Sequence, residues 1–163
     1  MIQLLKSRGR SAIVLPDNSI TGDGVKLRIR EKLMTDCNLH TIIRLPQSTF
    51  FPATVGTNLL FFEKGTATKD IWYYKHELPV GQKSYSKKKP IKFEEFQPII
   101  RWWNNRIENQ FAWKVSVDEL DFMNLDIKNP NKKKSEIIYD RSEILNELKS
   151  SQIRINELLK ELK

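Results

Sequence analysis

Cysteine is nearly absent from this sequence. The lone Cys37 excludes an intramolecular disulfide, a cysteine-rich zinc site and a thioredoxin-type pair. Histidine is as scarce, and His40 and His76 are too few for a histidine-based metal cluster. The 163 residues include only six glycines, and none of them form Gly-x-Gly-x-x-Gly or a Walker loop. Gly22-Asp-Gly24 precedes a helical stretch but lacks the third glycine and the lysine, so it reads as a helix-entry turn. No Gly-x-Ser-x-Gly elbow occurs. No run approaches the ~18 apolar residues of a membrane span. The start, Met1-Ile-Gln-Leu-Leu-Lys6, has neither the apolar region nor the cleavage site of a secretory signal. A soluble, cytoplasmic protein is expected.

What is present is positive charge. Lys and Arg number 28 against 20 Asp and Glu, giving a net charge of +8 and an isoelectric point near 9.6. Such an excess suits a polyanionic partner, because Lys and Arg bind phosphates and release counterions. It also serves plain solubility. Hydrophobic residues make up 39% of the chain, enough for a core but below the roughly 45–50% of an average domain.

The pattern along the chain predicts an α/β fold in three parts, 1–75, 76–135 and 136–163. In the first part, Ser11-Ala-Ile-Val-Leu15 is an unbroken apolar run stopped by Pro16, as in a strand buried on both faces of a parallel sheet. Leu4 and Leu5 are read as the end of a preceding helix. A helix is predicted from Gly24 to Thr35 and a second strand over Leu39–Leu45, closed by Pro46. Strand, crossover helix and strand make a βαβ unit. The loop from Gln47 to Gly56 is too short for another crossover, so Thr57–Phe62 should run antiparallel to the strand before it. Asp70–Tyr74 is read as an edge strand.

The second part is irregular, with Lys87–Lys89, Lys132–Lys134 and several prolines. Phe93 to Arg106 reads as a helix with Phe96, Ile99, Ile100 and Trp103 on one side. Phe111, Trp113, Val115 and Val117 alternate as a strand does, and Ser116-Val-Asp-Glu119 resembles a capping box. The third part is a helix from Asp140 to Lys163. Its residues Ile144, Leu148, Ile155, Leu158 and Leu162 fall on 4-3-4-3 spacing, with Ser151 at the vacant position.

No active site assembles from these residues. Cys37 and His40 could pair as nucleophile and base, but nothing orients the imidazole. Asp17 and Asp23 could be paired acids, though Asp17-Asn18 after Pro16 is equally good turn chemistry.

Four stretches resemble the modification (M) subunit of type I restriction–modification systems, an adenine-specific DNA methyltransferase family. They are Leu4 through Asn18, Ile29-Arg-Glu-Lys-Leu33, Ile42-Ile-Arg-Leu-Pro46, and Phe50-Phe-Pro-Ala-Thr-Val-Gly-Thr-Asn-Leu-Leu-Phe-Phe-Glu-Lys64, the last the most specific. Asp70-Ile-Trp-Tyr-Tyr74, Trp103-Asn-Asn-Arg106, Phe111-Ala-Trp-Lys-Val115 and Asn124-Leu-Asp-Ile-Lys-Asn-Pro130 resemble the region that follows the catalytic domain.

The resemblance implies the C-terminal half of a Rossmann-like methyltransferase sheet, followed by an irregular α+β region and a long C-terminal helix. Residues 57–63 would be the seventh, antiparallel strand, inserted between the fifth and sixth. In the family, a glycine-bearing motif binds S-adenosylmethionine and an Asn-Pro-Pro-Phe/Tyr motif holds the adenine amine. Neither occurs here, and Asn129-Pro130 is followed by Asn131. The chain is therefore expected to be a C-terminal fragment, inactive alone and without its own cofactor.

The resemblance also implies roles for individual residues. An aromatic residue in the loop before the last strand helps grip the flipped-out base, so Phe51, or failing it Phe50, would stack on the target adenine. Asp17 and Asn18 would line the site edge. Lys87, Lys88, Lys89, Lys132, Lys133 and Lys134 would meet DNA phosphates, or simply be solvated loops. The implied partners are DNA and the specificity (S) and restriction (R) subunits. The helical seam would pack on the S subunit, fold back on its own domain, or self-associate. The competing expectation is a non-enzymatic nucleic-acid-binding or assembly module that keeps half a methyltransferase fold.

Overall fold

The structure, a computed structural model, describes residues 1–131 and 141–161. The chain divides into two units, Met1–Lys132 and Lys133–Lys163.

The first unit is built on one five-stranded mixed sheet. Its strands are β1 (Arg10–Pro16), β2 (Cys37–Leu45), β3 (Thr57–Lys64), β4 (Asp70–Lys75) and β5 (Ala112–Ser116). Their order is β1-β3-β2-β4-β5. Strand β3 lies between β1 and β2 and is antiparallel to both. The connection before it holds no helix to carry the chain across the sheet, so β3 must turn back on β2. Strands β2 and β4 pair in parallel, and β5 returns antiparallel to β4. It follows that β1, β2 and β4 point the same way. Their carboxyl ends, at Pro16, Leu45 and Lys75, share one edge of the sheet.

Each face of the sheet has its own core. Helix α1 (Asp17–Ile20) and helix α2 (Val25–Asp36) cover one face. There Ile20, Leu33 and Met34 pack with Leu39, Ile42, Leu60 and Trp113. Helix α3 (Gln97–Asn104) covers the other, where Ile99 and Trp102 pack with Ile43, Leu45, Tyr74 and Ala112. Each large apolar side chain so buried is worth about 1.5–3 kcal/mol. Arg30, also buried, fastens the first layer. Its guanidinium donates to the carbonyls of Thr21, Gly22 and Met123, at 2.8, 2.6 and 2.9 Å. Desolvation lowers its pKa, against the pull of Asp23 and Glu31.

Several expectations change. Strand β1 is not buried on both faces, since its residues alternate and Val14 is 49% exposed. It is the outer strand of the described sheet, and the cores cover only its Ile13 and Leu15 side. Asp70–Tyr74 lies in the interior of the sheet, because β5 takes the far side of β4 and Tyr73 stacks on Trp113. Phe93–Phe96 is a 3₁₀ turn that leads into α3, whose buried residues are Ile99 and Trp102, with Ile100 exposed. Ser116 caps a 3₁₀ turn by accepting from the Asp118 N–H. The N-terminal Ile2–Leu4 is a single 3₁₀ turn. Cys37 belongs to the α2-side core, whereas His40 meets Trp103 on the α3 side, so the two form no pair.

In the second unit, residues Arg141–Glu161 form helix α4.

Candidate nucleic-acid interface

The carboxyl edge of β1, β2 and β4 collects Asp17, Asn18, Phe50 and Phe51 of the residues singled out in the sequence. In sheets of this kind, ligand crevices open at that edge. The loop 47–56 leaves it after β2. Thr49 closes the loop's first turn, its N–H and its hydroxyl both donating to the Pro46 carbonyl, at 3.0 and 2.7 Å. The Ala53 N–H then donates to the Phe50 carbonyl at 3.0 Å. Between these bonds, Phe50 and Phe51 stand 47% and 55% exposed. Two adjacent phenylalanines on a surface loop belong to neither core and leave aromatic surface open to solvent.

Asp17 and Asn18 open α1 at the end of β1. The Asp17 N–H donates to the Gly56 carbonyl at 2.9 Å. Its carboxylate accepts the side-chain N–H of Asn58 at 2.7 Å. The far end of the aromatic loop is thereby tied to β1. Asn18 is exposed; its carbonyl accepts from Lys26 at 2.8 Å. Asp17 thus has a structural bond, and the side-chain carbonyl of the exposed Asn18 accepts from the Ser19 hydroxyl at 3.3 Å.

The basic turn follows Tyr85, whose backbone N–H donates to Ser48 of the loop at 2.8 Å. Ser86 and Lys89 exchange backbone bonds of 3.1 and 3.0 Å, a one-bridge hairpin whose tip is Lys87 and Lys88. Lys87, Lys88 and Lys89 are all exposed. Lys132, Lys133 and Lys134 lie outside the described residues. So does Leu162, and so does the side chain of Ile144. Leu148, Ile155 and Leu158 of α4 are exposed, and Leu145 and Leu159 widen the same apolar stripe.

One feature of this edge was invisible to sequence reasoning. His76, Tyr85 and Glu95 form a buried hydrogen-bonded cluster just beyond β4. No motif spacing announces it. The sole hint is a short one, Glu95 standing three residues after Lys92, whose N–H it accepts at 2.8 Å.

Two concavities lie elsewhere. Grooves of about 610 and 420 Å³ flank His40 and Arg106 near the opposite edge, on the α3 side. Both are shallow and open. Arg106 lies over the Trp103 ring at 4.8 Å and donates to the His40 carbonyl, which makes it a packing element.

The family model for N-6 DNA methylases matches residues 1–140. The chain belongs to that family. Over its whole length it is 47% identical to the type I restriction enzyme EcoEI methylase subunit of Escherichia coli, and it spans 35% of that protein. A solved modification subunit from Vibrio vulnificus YJ016 aligns with a TM-score of 0.71 at 46% identity, covering 76% of this chain and 28% of the other. A chain of a type I R-M system, solved for its complex assembly and conformational transition, aligns at 0.73 and 30% identity, covering 96% and 35%. This methylase chain therefore spans about a third of the relatives it matches.

Methylases generally take their methyl group from S-adenosylmethionine, so the described residues can be asked whether they would hold it. They do not fit. The strand-to-helix turn at β1 is Pro16–Asp17, with no glycine to let a backbone approach the cofactor. The Asp17 carboxylate already fills the space beside Gly56. Nor does any described group of His, Cys, Asp and Glu suit a metal ion. Among the described residues, no helix is long and apolar enough to cross a membrane.

Proposed function

We propose that this chain is the C-terminal part of a type I DNA adenine methyltransferase subunit. In the whole protein, that subunit transfers a methyl group from S-adenosylmethionine to the exocyclic amine of adenine in DNA. On this reading β1 and β2 are the fifth and sixth strands of the catalytic sheet and β3 is the inserted seventh. Segments outside this chain hold the cofactor and the reacting amine, and this chain alone is inactive. The observation that carries the reading is the exposed pair Phe50 and Phe51, on a loop fastened at both ends to the carboxyl edge of the sheet. Flipping a base removes its stacking, and an aromatic face at that edge offers it back. Phe51, the more exposed of the two, is assigned to the target adenine.

Lys87 and Lys88 supply sequence-independent phosphate contacts. The apolar stripe of α4 supplies a surface for a helix of the S subunit, and the R subunit joins through the same complex. The solved relative described by its complex assembly supports this.

The test is Phe51→Ala in the intact protein, with 2-aminopurine at the target adenine. Methylation should weaken by roughly 1–3 kcal/mol, the worth of one stacked base, and the flipped-base fluorescence should fall while the melting temperature holds. Unchanged methylation with a lower melting temperature would make Phe51 a core residue. A second measurement is titration of this chain alone with S-adenosylmethionine. A micromolar one-to-one isotherm would overturn the division of labour between this chain and the rest of the protein. The competing module reading requires that the intact protein transfer no methyl group at all.

A further inference from the structure

The cluster beside the aromatic loop is built from three segments. His76 follows β4, Tyr85 lies in the connection after it, and Glu95 sits in the 3₁₀ turn Phe93–Phe96. Tyr85 is 2% exposed and His76 6%. The Tyr85 hydroxyl donates to Glu95 Oε2. It has one hydrogen, so the 3.1 Å contact with His76 Nε2 must be a donation from the imidazole. Glu95 Oε1 accepts the Lys92 N–H. The backbone N–H of His76 donates to the Arg44 carbonyl at the end of β2, and the His76 ring stacks on Phe96 at 5.3 Å. Two of these links hold the Tyr85 hydroxyl and the others hold its partners His76 and Glu95, and burying such polar groups is costly unless they are paired.

The backbone of that fixed residue reaches the two elements assigned to DNA. The Tyr85 N–H donates to Ser48 Oγ at 2.8 Å, inside the aromatic loop. The next residue, Ser86, opens the hairpin that presents Lys87 and Lys88. We infer that Tyr85, clamped by His76 and Glu95, is a positioning residue that mounts the aromatic loop and the lysine turn on one anchor. Phosphates held at Lys87 and Lys88 then fix where the DNA backbone stands relative to Phe50 and Phe51. The inference rests on the reading that the loop grips the target base.

The experiment compares Ser48→Ala, Ser48→Thr and Tyr85→Phe in the intact protein. Its first readout is hydrogen–deuterium exchange of residues 47–56. Losing the one hydrogen bond to Ser48, worth about 1 kcal/mol, should speed loop exchange roughly five-fold in Ser48→Ala, and Tyr85→Phe, which breaks both hydroxyl bonds of the clamp, should also speed it. Ser48→Thr keeps the hydroxyl and should stay at the wild-type rate. The KM for DNA should rise in the first two variants while cofactor affinity is unchanged, a split that general destabilisation does not produce. Ser48→Ala removes only a half-buried hydroxyl, so it remains informative if Tyr85→Phe does not fold. Wild-type loop exchange in Ser48→Ala would overturn the anchor. Faster exchange in Ser48→Ala, with a 2-aminopurine signal indifferent to Phe51→Ala, would support the anchor and remove the base-gripping role of the loop.

Discussion

Asn58, fully buried at the start of β3, donates its side-chain N–H to the carboxylate of Asp17 at 2.7 Å. The same carboxylate stands where a side chain on Gly56 would go. A Cβ built there would lie 2.0 Å from Asp17 Oδ2. One contact therefore pairs the amide N–H of a buried asparagine and accounts for a glycine, and it joins the end of β1 to the end of the aromatic loop. Asn58→Ala should cost about 1–3 kcal/mol of stability through the lost bond. Gly56→Ala should cost a similar amount by displacing Asp17. Because both changes break the same contact, the double variant should lose clearly less than the sum. Denaturant unfolding of the four proteins measures this, and strict additivity would show that the two sites act independently.

The salt dependence of DNA binding separates phosphate contact from mere solvation at the basic hairpin. Each lysine on a phosphate contributes about 0.9 to the slope of log K against log salt. The intact protein carrying Lys87→Ala and Lys88→Ala should therefore lose nearly 2 from that slope, with equal weakening on specific and non-specific duplexes. Anisotropy titrations across a salt series give the slope directly. An unchanged slope would return the hairpin to the class of solvated loops.

The local elements were legible because their punctuation is local. Pro16 and Pro46 close β1 and β2, Gly65 follows β3, and the apolar runs between them are short and unbroken. The errors in the sheet came from partners far away in the chain, whereas those at Ile2–Leu4 and Phe93–Phe96 took single 3₁₀ turns for helix. The position of β4 inside the sheet depends on β5, nearly forty residues later, and on the stacking of Tyr73 against Trp113. The partial exposure of β1 depends on which layers reach it, which its own seven residues do not encode. The candidate site divides the same way. Phe50 and Phe51 stood out as a pair of aromatics within one loop. The bond from Asn58 to Asp17 spans 41 positions, and the cluster of His76, Tyr85 and Glu95 has no periodicity. Polar networks of this kind are defined by tertiary geometry alone.

Acid should destabilise the fold through its histidines. Burial lowers the pKa of His76 against the pull of Glu95. Burial also lowers that of His40, assisted by Arg106 and Arg10 and opposed by Glu63. Both groups thus bind a proton more readily in the unfolded chain, where the pKa is about 6.5. Their contribution is complete above that value and is lost as pH falls through the lower, folded pKa values. The melting temperature should drop between about pH 7 and pH 5. His76→Gln and His40→Gln should each flatten that drop. Thermal melts of the three proteins across this range would refute the assignment if the variants tracked the wild type in parallel.

Helix α4 carries the remaining prediction. Leu148, Ile155 and Leu158 form a stripe that is exposed in the single chain, flanked by Leu145 and Leu159. A lone helix of 21 residues with Ser151, Gln152 and Asn156 at its centre is marginal in water. Covering each Leu or Ile is worth about 1.5–3 kcal/mol, so the stripe can drive association even after ordering costs. The chain should self-associate through α4, or bind a specificity subunit through it when one is supplied. Sedimentation of the wild type beside a Leu148→Lys, Leu158→Lys variant tests both outcomes. The variant should be monomeric and should not bind, while its melting temperature stays within a degree or two of the wild type, since exposed positions contribute little to the fold that bears them. A wild type that remains monomeric and ignores the specificity subunit would show that the stripe serves no partner.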